Sequence, residues 1–178
     1  MPIKMFLRIK KRTNSSGKSY EYGYLVLNKY KRRKKSPRQK VKQYLGRVYR
    51  FERAFNKEIE ALETEKTTIK ENMVLLIKNE LKNYGFEEKE GLWQRESCFI
   101  NIEQGICLDQ EGRNICVALN DGLLHTSTIG ELIDFKPQKG LEKEIGAQLG
   151  NALISAGIRP KEAVFIGLFR QVTKQLNQ

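Results

Sequence analysis

Hydrophobic and polar side chains change period once along this chain. Met5, Leu7 and Ile9 alternate with Phe6, Arg8 and Lys10. After the turn-forming Thr13-Asn14-Ser15-Ser16-Gly17, Tyr20, Tyr22, Tyr24 and Val26 alternate with Glu21, Gly23 and Leu25. A period of two around a Gly-containing turn predicts a hairpin. A third short strand, in which Val41, Gln43 and Leu45 alternate with Lys40, Lys42 and Tyr44, ends at Gly46. Side chains at every second position share a face. Met5, Leu7, Ile9, Val41 and Leu45 are therefore expected on one side of a small sheet, and Arg8, Lys10, Arg12, Lys40 and Lys42 on the other.

From Phe51 the period becomes helical. Phe55, Ile59, Leu62, Lys66, Ile69, Met73, Leu76 and Glu80 step by four and three with no Pro or Gly before Gly85, which predicts one long helix over 51–85. Lys66 and Glu80 interrupt the stripe. Packing against the C-terminal part of the chain is thus favoured over a coiled-coil seam, with a helical dimer as the alternative. Residues 91–135 read as an antiparallel meander, in which Cys98-Ile100-Ile102, Ile106-Leu108, Ile115-Val117-Leu119 and Leu123-His125 are separated by turns, the clearest at Asp121-Gly122. Two helices follow, 141–156 with Ile145, Leu149, Leu153 and Ala156 on one face, and 160–176 with Pro160 in its first turn. The expected class is α+β: a small N-terminal antiparallel sheet at 1–50, a long connecting helix at 51–85, and an 86–178 domain whose antiparallel meander carries two helices.

Charge sharpens this division. Of 178 residues, 33 are Lys or Arg and 21 Asp or Glu, for a formal net charge of +12. The imbalance sits at one end, because residues 1–50 hold 17 of the bases and a single acid, Glu21, while residues 51–178 hold 16 bases and 20 acids. Such a field calls for a polyanionic partner. Lys31-Arg32-Arg33-Lys34-Lys35, followed by Arg38 and Lys40, places seven cations in ten residues, and phosphate is their natural counterpart. Six of the seven tyrosines, Tyr20, Tyr22, Tyr24, Tyr30, Tyr44 and Tyr49, lie in the same stretch. Tyr22 and Tyr24 are expected in the small sheet's core. Tyr30 and Tyr44, beside the cations, are candidates for stacking on bases or binding phosphate.

Three segments carry a family resemblance: Met5-Phe6-Leu7-Arg8-Ile9-Lys10-Lys11, Gly17-Lys18-Ser19-Tyr20-Glu21-Tyr22 and Arg38-Gln39-Lys40-Val41-Lys42-Gln43-Tyr44-Leu45-Gly46-Arg47. Together they resemble the N-terminal strand unit of certain insertion-sequence transposases of the DDE class. The resemblance implies a DNA-contacting module reused from a mobile element. It does not imply transposase catalysis, since the rest of the chain is too short for a ribonuclease-H-like core and shows no strand-borne Asp, Asp, Glu series.

Other chemistries find less support. Cys98, Cys107, Cys116 and His125 recur every nine residues and form a legitimate zinc ligand set, yet structural zinc sites pair ligands two to four residues apart; no metal site is assigned. Neither a phosphate-binding Gly-Lys-Ser/Thr loop nor a strand-borne GxGxxG occurs, and no cofactor or catalytic residue is expected. Three cysteines cannot all pair, and no apolar run approaches a membrane helix or signal core, so a soluble cytoplasmic protein, nucleoid-associated if it binds DNA, is expected. The sequence thus points to a non-catalytic nucleic-acid-binding protein, DNA before RNA. The contacts are expected from Arg8, Lys10, Arg12, Tyr30, Lys31, Arg32, Arg33, Lys34, Lys35, Arg38, Lys40, Lys42 and Tyr44, with homodimerisation through 51–178. Alternatives are an RNA- or ribosome-associated factor and a small metal-dependent nuclease using Asp109, Asp121 or a neighbouring Glu.

Overall fold

The first turn is built by Asn14, whose Oδ1 accepts from the backbone N–H groups of Ser16 at 3.1 Å and Lys18 at 2.9 Å. The computed structural model describes residues 5–31, 36–138 and 140–176. Around that turn β1 (Met5–Thr13) pairs antiparallel with β2 (Ser19–Lys31), in register from Met5 opposite Leu27 to Thr13 opposite Ser19. β3 (Ser36–Arg50) pairs antiparallel with β2. Its end, Arg47 to Arg50, then runs parallel to β8 (Ile115–Leu119), which turns back into β9 (Gly122–Leu124). The first sheet is therefore mixed, ordered β1-β2-β3-β8-β9, and not the purely antiparallel one expected. Gly46 permits the junction: its φ is 122°, and a Cβ there would collide with the carbonyl of Asn114 at the start of β8.

The long helix over 51–85 is corrected. Only α1 (Ile69–Asn83) is helical, and its start is fixed by a capping box, with Thr68 Oγ1 accepting from the Glu71 N–H and Glu71 Oε2 accepting from the Thr68 N–H at 2.7 Å. Upstream, the chain is an irregular strap whose backbone is satisfied by α1 side chains and termini. Ala54 and Phe55 donate to the Asn83 carbonyl, Lys57 N–H donates to Asn83 Oδ1 at 2.9 Å, and the Asn79 and Asn83 amides donate to the Lys57 carbonyl. Ile59 and Leu62 still pack on the core, so the apolar spacing reports burial here without helicity.

The meander is divided. β4 (Glu87–Lys89), β5 (Leu92–Arg95), β6 (Cys98–Asn101) and β7 (Ile106–Asp109) form an antiparallel four-stranded sheet, whereas β8 and β9 leave it to complete the first sheet. Three helices follow the strands where two were expected. α2 (Thr126–Ile133) starts directly after β9, with Thr128 Oγ1 accepting from the His125 N–H, and α3 (Glu142–Ser155) and α4 (Glu162–Leu176) lie close to the predicted spans. α3 ends at Gly157, whose φ of 78° lets its own N–H reach Ile154 O and that of Ile158 reach Leu153 O.

One core unites these elements. Met73, Ile77 and Leu81 of α1, Trp93 and Ile100 of the second sheet, Ile115, Val117 and Leu119 of β8, Ile129 and Leu132 of α2, Leu149 and Leu153 of α3, and Leu168 of α4 are all buried together. Each contributes roughly 1.5–3 kcal/mol by leaving water. β8 is buried along its whole length, because its other face, with Cys116 and Ala118, packs a smaller cluster with Leu45, Val48 and Leu123. Among the described residues, no helix is long and apolar enough to cross a membrane.

Candidate nucleic-acid interface

Cross-strand register decides which side chains share a face, since residues directly opposite each other in an antiparallel pair point the same way. Arg8, Lys10 and Arg12 stand opposite Tyr24, Tyr22 and Tyr20, and across β2 Tyr22 stands opposite Arg47 and Tyr24 opposite Tyr44. One face of the three strands therefore joins cations to tyrosines. Lys10 Nζ lies 5.1 Å from the Tyr24 ring centre, and the Arg47 guanidinium sits over Tyr20 at 4.3 Å and over Tyr49 at 4.9 Å. The Tyr44 ring is 5.4 Å from that of Tyr24 and 6.2 Å from that of Tyr22, tilted in both cases. At its β8 end this face dives into the main core through Ile115 and Val117; toward β1 it is open.

The expected face grouping is corrected in two respects. Register shifts between Gly23 and Tyr24 and between Leu25 and Val26 place Lys40 opposite Leu27 and Val41 opposite Val26, so Lys40 points away from Arg8, Lys10 and Arg12 and Val41 toward them. Lys42 falls at the second shift, and both lysines are exposed. Tyr22 and Tyr24, expected inside, are half-buried members of the open face. Tyr30, Lys31 and Arg38 occupy the far end of the β2–β3 ribbon, which extends past the start of β1, with Tyr30 opposite Pro37 and Lys31 opposite Ser36. Arg32, Arg33, Lys34 and Lys35 lie outside the described residues.

Where the step from open face to core occurs, the Asp109–Asn114 loop rises beside the sheet and encloses a recess of about 430 Å³ with Tyr22, Tyr44 and Arg47. The loop is rigid by construction. Asp109 Oδ1 accepts from the Glu111 and Arg113 N–H groups at 2.9 and 3.0 Å, and Oδ2 accepts from Arg113 Nε at 2.8 Å. Burial alone would raise the Asp109 carboxyl, but these hydrogen bonds and the Arg113 charge bring it below its ordinary value, so it is ionised, and Arg113 is shared between it and Glu111. Burial, and then the neighbouring Tyr22 and Tyr24, raise the Tyr44 hydroxyl above its usual value.

Comparison of the chain with family models, curated proteins and solved structures gave no match. The interface therefore rests on its own residues. Among them, Arg8, Lys10, Arg12, Lys40, Lys42 and Arg47 pair with no carboxylate of the described residues, while several cations beyond residue 49 do, among them Arg50 with Glu21, Arg53 with Glu80, Lys78 with Glu88, Arg159 with Asp121, and Lys161 with Glu58 and Glu60. Arg47 and Arg113 join the site without having been named for it, and Tyr20 and Tyr49 join it from the tyrosine-rich stretch; the two-residue spacing of Arg47 and Tyr49 is the signal that places them on one face.

The other constellations disperse. Cys107 Sγ donates to Leu124 O, Cys116 Sγ to Leu45 O, and His125 Nδ1 accepts from the Ser127 N–H at the start of α2. Burial pushes the Cys98 and Cys116 thiols up to about 12, which keeps them protonated and unreactive. No group of three metal-ligating side chains converges among the described residues. Asp109 and Asp121, the nuclease candidates, line different recesses, and Asp121 is paired with Arg159.

Proposed function

We propose that the protein binds nucleic acid, DNA before RNA, without catalysing a reaction on it, through the tyrosine and cation face of β1, β2 and β3. The single observation that carries this is the company of the cations. Arg8, Lys10, Arg12 and Arg47 are gathered on one open face among aromatic rings, and none of them forms an ion pair with a carboxylate of the described residues. Unpaired like charges held together on a rigid sheet repel one another, and phosphates relieve that repulsion. The resemblance of Met5–Arg47 to transposase strand units favours DNA.

A salt titration of binding tests the proposal. Each neutralised phosphate steepens the plot of log K against log salt by about 0.9 on duplex and about 0.7 on single strands. Replacing Arg8, Lys10 and Arg12 together with glutamine is expected to weaken binding on every sequence and to flatten the slope by about two to three. Neutralising residues 31–35 should act in the same direction. An unchanged slope in both variants, or no binding to DNA at low ionic strength, overturns the proposal.

A further inference from the structure

We infer that the recess between the tyrosine face and the Asp109–Asn114 loop receives an unpaired nucleotide, so that the protein favours single-stranded or looped-out DNA over continuous duplex. This rests on the nucleic-acid reading above and narrows its substrate. A duplex keeps its base faces inside the stack and offers only groove edges, whereas an unstacked base presents a flat face to an aromatic ring. Tyr44 is such a ring, 54% exposed on the open face of the sheet. Tyr22 and Tyr24 meet it at interplanar angles of 42° and 53°, so they wedge it upright and do not stack on it.

Charge is arranged around that ring. Arg47 is already ordered between Tyr20 and Tyr49, and its guanidinium hydrogen-bonds to no acceptor among the described residues. A phosphate meeting it would cost little further rotamer freedom. On the opposite wall the Asp109 carboxylate is held by Arg113 and two backbone N–H groups, and Arg113 also pairs with Glu111 at 2.7 Å, so this wall keeps a net negative charge and steers a phosphate to the Arg47 side. Asn114, exposed at the rim, adds an amide able both to donate to and to accept from a base edge. The volume of about 430 Å³ falls within the range of small-molecule sites, roughly 300–1,000 Å³. Stacking platform, ordered cation and amide together match the parts of one nucleotide.

The experiment compares one DNA sequence as a single strand, as a perfect duplex and as a duplex with one looped-out 2-aminopurine, alongside the free mononucleotide, reading anisotropy and 2-aminopurine quenching. The single strand and the looped-out duplex are expected to bind about tenfold or more tighter than the perfect duplex, with the probe quenched. Tyr44→Ala should cost these two about tenfold more than it costs the perfect duplex, so that their preference is lost, while Tyr44→Phe, which keeps the ring, should retain it. The ring's exposure keeps both variants clear of the core, and circular dichroism verifies their fold. Equal or tighter binding to perfect duplex, with a steep salt dependence, overturns the inference and leaves the proposed function standing. Mononucleotide bound as tightly as the strand overturns it in favour of a small-molecule site. Absence of binding to any DNA at low salt removes both.

Discussion

At the scale of single residues, His125 shows how burial sets the terms for a titratable group. It is 5% exposed, and its Nδ1 uses a lone pair to cap α2, so protonation would both charge a buried ring and remove the acceptor. Burial holds its pKa down to about 4, against an ordinary 6.5. The unfolded chain therefore binds the extra proton first. The stability that goes with the neutral ring is complete above pH 6.5 and is lost as the pH falls from there toward 4, by about 3 kcal/mol in all. His125→Asn, which keeps a capping acceptor without titrating, is expected to flatten that part of the curve; urea midpoints for both proteins between pH 7.5 and 4 test it. Residue-scale chemistry was unevenly legible. The cations and tyrosines of the N-terminal strands could be named from the sequence, but the side each one faces could not, because two register shifts in β3 exchange the sides of Lys40 and Val41.

Among elements, α1 is the informative case. Phe55, Ile59 and Leu62 recur at helical spacing, yet they belong to an irregular strap, and Thr68-x-x-Glu71 marks where the helix begins. That start signal was present in the sequence and was outweighed by the apolar stripe. Thr68→Ala removes the side-chain acceptor for the Glu71 N–H and half of the reciprocal box, and is expected to lower the unfolding free energy by about 1 kcal/mol without altering the fold, as read by urea denaturation. The hairpin of β1 and β2 was legible because alternation and the Asn14 turn agree with one another. α2 was not, because its eight residues follow β9 with no intervening loop.

For the molecule as a whole, one buried polar cluster ties distant parts of the chain together. Arg53 of the strap donates to Glu80 Oε1 of α1 at 2.5 Å, Asn120 between β8 and β9 donates to the same oxygen at 2.6 Å and to the Gly157 carbonyl at 2.7 Å, and its own N–H donates to the Tyr84 hydroxyl at 2.8 Å. Glu80 is only 5% exposed at its side chain, so these partners take the place of water around its carboxylate. Arg53→Met is expected to cost roughly 3 kcal/mol or more, because it strands that carboxylate, and the Arg53→Met/Glu80→Gln double variant should recover part of the loss. A double-mutant cycle in denaturant measures both. None of these long-range meetings could be read locally, since each joins residues separated by dozens of positions.

The parallel seam between the end of β3 and β8 also has a consequence in time. During synthesis the first fifty residues leave the ribosome well before the strand that must lie beside them, and Leu45 and Val48 wait without Cys116, Ala118 and Leu123 to cover them. The hairpin can zip early, but the sheet it belongs to can close only after residue 124 has emerged. Folding of this chain should accordingly be paced by one late, nonlocal closure and not by its many quick local turns.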